Sequence, residues 1–136
     1  MNDGKCVGAG VIIRRCGKLL ALKAPVHMRL PNRGLWDIPK GMIDPGEDPL
    51  MCAIRECHEE AGVLPSKIID GPMIEGNLWI WVVETNGTPS IRENPITRIA
   101  EHVEVAWLDP EELEKNCYTY LRPFIVWARD ILSKRG

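Results

Sequence analysis

No run of lysine and arginine stands out in this 136-residue chain. That absence removes the electrostatic footprint of a long nucleic-acid track. A net charge of −2 and a pI near 5.9 point the same way. No two cysteines stand in C-x-x-C spacing, and five is an odd count. Cys6, Cys16, Cys52, Cys57 and Cys117 therefore argue against a disulfide framework or a zinc site. They argue for reduced thiols in a cytoplasmic protein. Nothing near Met1 resembles a signal peptide, and no apolar run approaches the length of a bilayer span, so no membrane role is expected. Internal repeats and low-complexity tracts are missing as well. What is left suits one compact domain over residues 1–136, with 45% hydrophobic residues to build a core.

The informative stretch runs from Gly41 to Val63. Glu56, Glu59 and Glu60 stand at i, i+3 and i+4, which on a helix places three carboxylates within about one turn. Like charges at that spacing destabilise an isolated helix by roughly 0.2–0.5 kcal/mol per pair. The cluster calls for a cation, and hard divalent metals take oxygen ligands and bridge carboxylates to phosphates. The helix is predicted independently. Asp48 suits the N-cap, Pro49 the first helical position and Gly62 the position just past the end. Leu50, Ala53, Ile54, Cys57 and Ala61 form the expected apolar stripe, with the carboxylates on another face beside Arg55. A solvated acidic face is the bland reading of such a helix. The loop before it favours the sharper one, because Gly41 and Gly46 permit close backbone approach to a ligand and Asp44 and Glu47 add carboxylates.

This segment resembles the signature of the Nudix hydrolase family. Gly41, Glu47, Arg55, Glu56, Glu59, Glu60 and Gly62 fill its fixed positions, and Cys57 and Val63 its apolar slots. Cys57 is an uncommon choice there but behaves as a small hydrophobe. The resemblance implies an α/β fold, a Nudix-type α/β/α sandwich with a mixed β-sheet over nearly the whole chain. It implies hydrolysis of a nucleoside diphosphate linked to another group. It further implies Glu56, Glu59 and Glu60 as ligands of Mg²⁺ or Mn²⁺, helped by the backbone carbonyl near Gly41. Arg55 and Glu47 would orient those carboxylates. The alternative for Arg55 is an ordinary i,i+4 surface partner of Glu59.

The rest of the chain fits that order. Residues 7–14 and 19–23 read as strands joined at Gly17, and 24–34 as a loop with His27, Arg29 and Arg33. Residues 35–38 read as a short extended piece before Pro39. Residues 67–74 and 78–84 read as strands around Gly76-Asn77. A loop at 85–95 precedes a strand at 103–108. Asp109-Pro110 opens a short helix, and Pro123 opens a last one through Leu132. Strands with helices on both faces predict the three-layer arrangement.

A general base outside the signature is sought in Glu101. The run Glu101-His102-Val103-Glu104-Val105-Ala106-Trp107-Leu108 resembles the Glu-His…Trp-Leu segment of diadenosine tetraphosphate hydrolases, where the Glu lies over the metal site. A solvated loop residue is the plain alternative, and His102 carries less weight. Trp36-Asp37-Ile38-Pro39-Lys40-Gly41 resembles the Trp-x-x-Pro-Lys-Gly lead-in of dinucleoside polyphosphate hydrolases. Lys40 is thus expected to meet an outer phosphate as a point charge. Trp79 and Trp81 share one strand face and stand where that branch carries a base-stacking aromatic. A pair of core tryptophans is the equal alternative. ADP-ribose-type members usually show a proline in this region, and the nearest here are Pro72 and Pro89. The expected partner is a small nucleotide, with monomer and homodimer both open. Sugar nucleotides, ADP-ribose and nucleoside triphosphates are alternative substrates. A non-catalytic nucleotide sensor is disfavoured because every signature carboxylate is present.

Overall fold

The computed structural model describes residues 7–24, 35–93, 96 and 102–135. Glu101, His27, Arg29 and Arg33 lie outside the described residues. The elements in order are β1 (Gly8–Arg15), β2 (Lys18–Lys23), β3 (Trp36–Asp37), β4 (Lys40–Met42) and α1 (Pro49–Ala61). There follow β5 (Lys67–Glu75), β6 (Leu78–Glu84), β7 (Glu104–Leu108), α2 (Pro110–Asn116), a single 3-10 turn (Thr119–Leu121) and α3 (Arg122–Arg135). The strands and helices expected from sequence are present within a residue or two, except that α3 runs three residues past the expected Leu132. The strand β4 and the 3-10 turn were not foreseen, since two or three residues carry no periodicity.

Among the described residues the strands form one mixed sheet in the order β3-β2-β1-β6-β5, with β4 beside β1 and β7 beside β2. β1 runs parallel to β6, from Gly8 opposite Leu78 to Ile13 opposite Val83. Its other edge is shared. Gly8–Gly10 pair antiparallel with β4, which sets Ala9 opposite Gly41, and Arg14–Arg15 pair with β2.

Alternation along β1 divides the core in two. Ala9, Val11 and Ile13 face α1, packing with Leu20, Leu22, Trp81, Val83, Cys52, Ala53, Cys57 and Ala61. Ile12 faces the opposite layer with Ile80, Val82 and Leu108, against Leu113, Leu121, Phe124, Ile125 and Ala128. This is the α/β/α sandwich, with α1 on one face and α2 and α3 on the other.

Helix α1 begins and ends as its sequence dictates. The Asp48 carboxylate accepts from the backbone N–H groups of Leu50 and Met51, at 3.0 and 3.4 Å. Gly62 takes φ 74° and its N–H closes on the His58 carbonyl. Its inward face differs from the predicted stripe. Cys52, Ala53, Glu56, Cys57 and Ala61 are buried, whereas Leu50 and Ile54 are half-buried. One carboxylate therefore lies on the inner face. α2 also departs from expectation: Asp109 makes no side-chain cap bond, and its carboxylate pairs instead with the Lys18 ammonium at 2.9 Å. No helix among the described residues is long and apolar enough to cross a membrane.

Candidate active site

Arg55 is the hub of the carboxylate cluster. Its Nε and Nη2 donate to the two oxygens of Glu47 at 2.9 and 3.0 Å, a bidentate fork. Nη1 donates to Glu56 Oε2 at 3.0 Å and lies 3.4 Å from both Glu59 oxygens. Nη2 also donates to the Met42 carbonyl at 3.2 Å, and Asp44 lies 3.6 Å away. The i,i+4 contact with Glu59 is thus the longest of its glutamate contacts, and Arg55 is no ordinary surface partner. One guanidinium ties the loop, the strand β4 and the helix α1 together.

The loop is built to receive it. Glu47 Oε1 accepts the Asp44 N–H at 3.0 Å while the Glu47 N–H donates to the Asp44 carbonyl at 2.9 Å. The hydrogen bond from Arg55, seconded by the Asp44 N–H, holds the Glu47 carboxyl down at about 2. The same Glu47 bonding raises the Arg55 pKa, so the guanidinium keeps its charge.

Strand β4 meets the helix face at two points. The Lys40 N–H donates to Glu60 Oε1 at 3.1 Å. One residue on, the carboxylate of Glu56 lies against the bare Cα of Gly41, where a β-carbon would come within 2.2 Å of it. Only glycine leaves that cradle open. Behind it the Cys52 thiol reaches the Gly41 and Met42 carbonyls at 3.7 and 3.5 Å. Burial pushes the thiols of Cys52 and Cys57 up to about 11 and about 12, so both remain protonated packing groups.

The donor chemistry fits a hard divalent cation. Glu56, Glu59 and Glu60 offer only oxygen, from one helix face, with Glu56 resting against Gly41. Among the described residues no three ligating groups already converge. Arg55 Nη1 sits between Glu56 and Glu59 and supplies positive charge there.

A second polar group lies beside this cluster. The Lys40 ammonium pairs with Asp37 Oδ1 at 3.0 Å, and Asp37 Oδ2 meets His102 Nε2 at 3.1 Å. Asp37 and His102 are buried. Burial works to raise the Asp37 pKa, yet the His102 hydrogen bond and the Lys40 charge outweigh it and lower it. Burial likewise works against charged Lys40, but Asp37 and Tyr120 raise its pKa. Lys40 is thus a paired cation, its ammonium held by Asp37. Its ammonium also stands 5.5 Å above the Tyr120 ring, and Tyr120 stacks on Tyr118 with centroids 5.9 Å apart.

Lys40 and Tyr120 line a cavity of about 550 Å³ that opens beside Gly41, with Gly8, Asn77, Leu78 and Pro123 among its walls. Trp79 and Trp81 are not among them. Trp81 is 6% exposed in the core beneath α1, and Trp79 packs against that core with its ring centroid 6.4 Å from that of Trp81. For Trp81 the packing alternative describes the structure. Sequence reasoning missed Asp37 and Tyr120. A buried aspartate between Trp36 and Ile38, and an aromatic just before Pro123, were the available signals.

The site is thus an acidic helix clamped by Arg55 against the Gly41 strand, on one face of an α/β/α sandwich. The sequence model of the NUDIX domain matches residues 4–128, and the chain belongs to the Nudix hydrolase family. It is similar to Nudix hydrolase 25 of Arabidopsis thaliana, 28% identical over 124 residues, spanning 72% of this chain and 71% of that protein. It is also similar to the RNA pyrophosphohydrolase of Rhizobium meliloti (strain 1021), 42% identical over 62 residues. That match spans 43% of this chain and 36% of that protein, so it covers only part of each. In fold it resembles an Ap4A hydrolase from C. elegans, with a TM-score of 0.66, 24% identity, and coverage of 93% of this chain and 98% of that one.

Proposed function

We propose that this Nudix hydrolase is a metal-dependent pyrophosphohydrolase acting on a nucleoside diphosphate linked to another group, and that its substrate is a dinucleoside polyphosphate such as diadenosine tetraphosphate. The observation that carries the chemistry is the Arg55-centred carboxylate cluster facing the Gly41 cradle. The substrate rests on three supports: the Trp36…Pro39-Lys40-Gly41 lead-in, the fold likeness to the C. elegans Ap4A hydrolase, and the cavity adjoining Gly41. About 550 Å³ is within the size of small-molecule sites.

Glu56, Glu59 and Glu60 would hold Mg²⁺ or Mn²⁺, with the Gly41 carbonyl beside them. When bound, such an ion neutralises diphosphate oxygens and makes water a better nucleophile. Arg55 would aim Glu56 and Glu59, donating to the one at 3.0 Å and lying 3.4 Å from the other, and Glu47 keeps Arg55 in place. Glu59, with 39% of its side chain exposed, is the signature carboxylate in the cluster open to take a proton from water. Glu101 is the other candidate base.

A second reading has its own support. RNA pyrophosphohydrolases recur among the relatives, at 42% identity over 62 residues in the Rhizobium protein, so a 5′-triphosphorylated RNA end is the competing substrate.

The test is a panel of dinucleoside polyphosphates, ADP-ribose, sugar nucleotides, nucleoside triphosphates and a 5′-triphosphorylated oligoribonucleotide, each with Mg²⁺ and with excess chelator. Turnover highest on dinucleoside polyphosphates and lost in chelator is expected. Full turnover in chelator, with metal content verified as negligible, overturns the chemistry. A preference for the oligonucleotide overturns the substrate.

A further inference from the structure

The group formed by buried His102 and Asp37 with half-buried Lys40 lies outside the Nudix signature, and the chemistry above leaves it without a task. Two charged residues and a histidine this deeply placed are costly unless each is paired, and breaking one link strands the others. The pairing here is continuous. His102 Nε2 is 3.1 Å from Asp37 Oδ2, and Asp37 Oδ1 is 3.0 Å from Lys40 Nζ. The ammonium then stands 5.5 Å over the ring of Tyr120. Asp37 is fixed in turn by the Ile38 N–H at 2.8 Å.

What lies at the far end gives the group its meaning. Tyr120 is 53% exposed, sits in a three-residue 3-10 turn, and lines the cavity beside Gly41. A single turn of that length has little hydrogen bonding of its own to fix an aromatic ring. The Tyr118 stack and the Lys40 ammonium hold the ring. A cation over an aromatic face contributes about 0.5–2 kcal/mol, rising as water is excluded. The Lys40 side chain is only 18% exposed. Lys40 also forms part of the cavity wall.

We propose that Asp37 and His102 are positioning residues that hold Lys40 against Tyr120 and so fix the aromatic wall of a nucleobase pocket. Lys40 then serves base selection, and its ammonium is committed to Asp37 and Tyr120 rather than offered to a phosphate. This rests on the nucleotide reading of the site given above. A flat heteroaromatic ring suits such a pocket: Leu78 and Pro123 supply apolar surface, Tyr120 supplies a stacking face, and Asn77 stands beside them with an amide for a base edge. A supporting shell of this kind decides whether a site is held at productive geometry or left loose.

The test is equilibrium binding of AMP, with ribose 5-phosphate as the base-free control, to the full chain in Mg²⁺. Wild type, Asp37→Asn, Lys40→Met, Lys40→Arg, Tyr120→Ala and the Lys40→Met/Tyr120→Ala pair are compared, each shown to be folded by its melting curve. Wild type should bind AMP at least about tenfold more tightly than ribose 5-phosphate. Asp37→Asn and Lys40→Met should each reduce that preference about fivefold or more while leaving ribose 5-phosphate within twofold, and Lys40→Arg should restore part of it. The pair should be no weaker than Tyr120→Ala alone, because residues acting through one wall are not additive. If Asp37→Asn does not fold, Lys40→Met carries the test, since Asp37 there keeps His102. Multiplying losses, or equal losses for both ligands, overturn the positioning role. A wild type without preference for AMP overturns the pocket assignment, while turnover and its chelator sensitivity decide the hydrolase reading separately.

Discussion

Glu56 and Gly41 are in contact across the strand–helix boundary, the carboxylate of one resting on the bare Cα of the other. The residue that would ligate a metal and the residue whose carbonyl would help it are thus held together by the absence of a side chain. Spacing along α1 accounts for neither the contact nor its tightness. The register of β4 against β1, with Gly41 opposite Ala9, puts it there.

Gly41→Ala follows directly. A β-carbon would lie 2.2 Å from the Glu56 carboxyl carbon, so the flexible carboxylate must turn away. We expect kcat to fall at least about tenfold. Stability should fall by no more than the roughly 1–2 kcal/mol of the Glu56–Arg55 hydrogen bond that turning away gives up. Steady-state kinetics and a melting curve check it; an alanine variant with wild-type kcat removes Gly41 from the site.

Glu56→Gln and Glu59→Gln should diverge in stability while both lose activity, by about a hundredfold or more if each ligates the ion. Like-charge repulsion along the helix predicts relief in both variants. The structure reverses that for Glu56, which is buried and accepts from Arg55 Nη1 at 3.0 Å. Its neutralisation should cost roughly 1–2 kcal/mol, the charged part of one hydrogen bond. Glu59, more exposed and 3.4 Å away, should change stability by about 0.5 kcal/mol or less. Urea melts of both variants decide it, and equal gains in stability would restore the repulsion account.

Acid should loosen the loop through Glu47. Its pKa is depressed on folding from 4.5 to about 2, first by the Arg55 hydrogen bond. A depressed carboxylate contributes stability in full above its unfolded value and loses it as pH falls through the folded one. The loss therefore runs from near pH 4.5 down to about 2. Glu47→Gln should flatten the dependence of melting temperature on pH in that window. An unchanged slope would mean that Arg55 does not hold Glu47 ionised in solution.

Truncating Trp81 should destabilise the protein by about 3–5 kcal/mol, the cost of removing a large ring from a filled core. Trp79→Ala should cost less, since that ring is half-buried at the core edge. Neither change should act mainly on KM. Chemical denaturation beside kinetics measures both, and a raised KM with intact stability for either would return that tryptophan to the substrate.

Much of this was legible in the chain itself. The Asp48-Pro49 start and Gly62 end of α1 were readable because caps are local. So were the paired strands around Gly17 and Gly76-Asn77, where alternation and turn residues agree. The signature named Arg55 and its glutamates. What stayed hidden depends on residues far apart in sequence. Asp37 meets His102 across 65 positions, and Tyr120, near the end of the chain, meets Lys40. The inward turn of Glu56 and Cys52 was hidden too, because a helix face is chosen by the strands it packs on. For Trp79 and Trp81 the sequence left core and cleft equally open, because period two names a shared face without saying which it is.

β1 carries hydrogen bonds on both edges, to β6 on one side and to β4 and β2 on the other, and its Ala9, Val11, Ile12 and Ile13 are fully buried. Amides so placed exchange with heavy water only when the whole molecule opens. Gly8, on this strand, is also one wall of the cleft, while Tyr120 opposite rides on a turn of three residues. The two sides of one cavity therefore keep different time. The β1 side is expected to carry the slowest-exchanging amides, whereas the Tyr120 side is kept in place by side-chain contacts and not by the sheet.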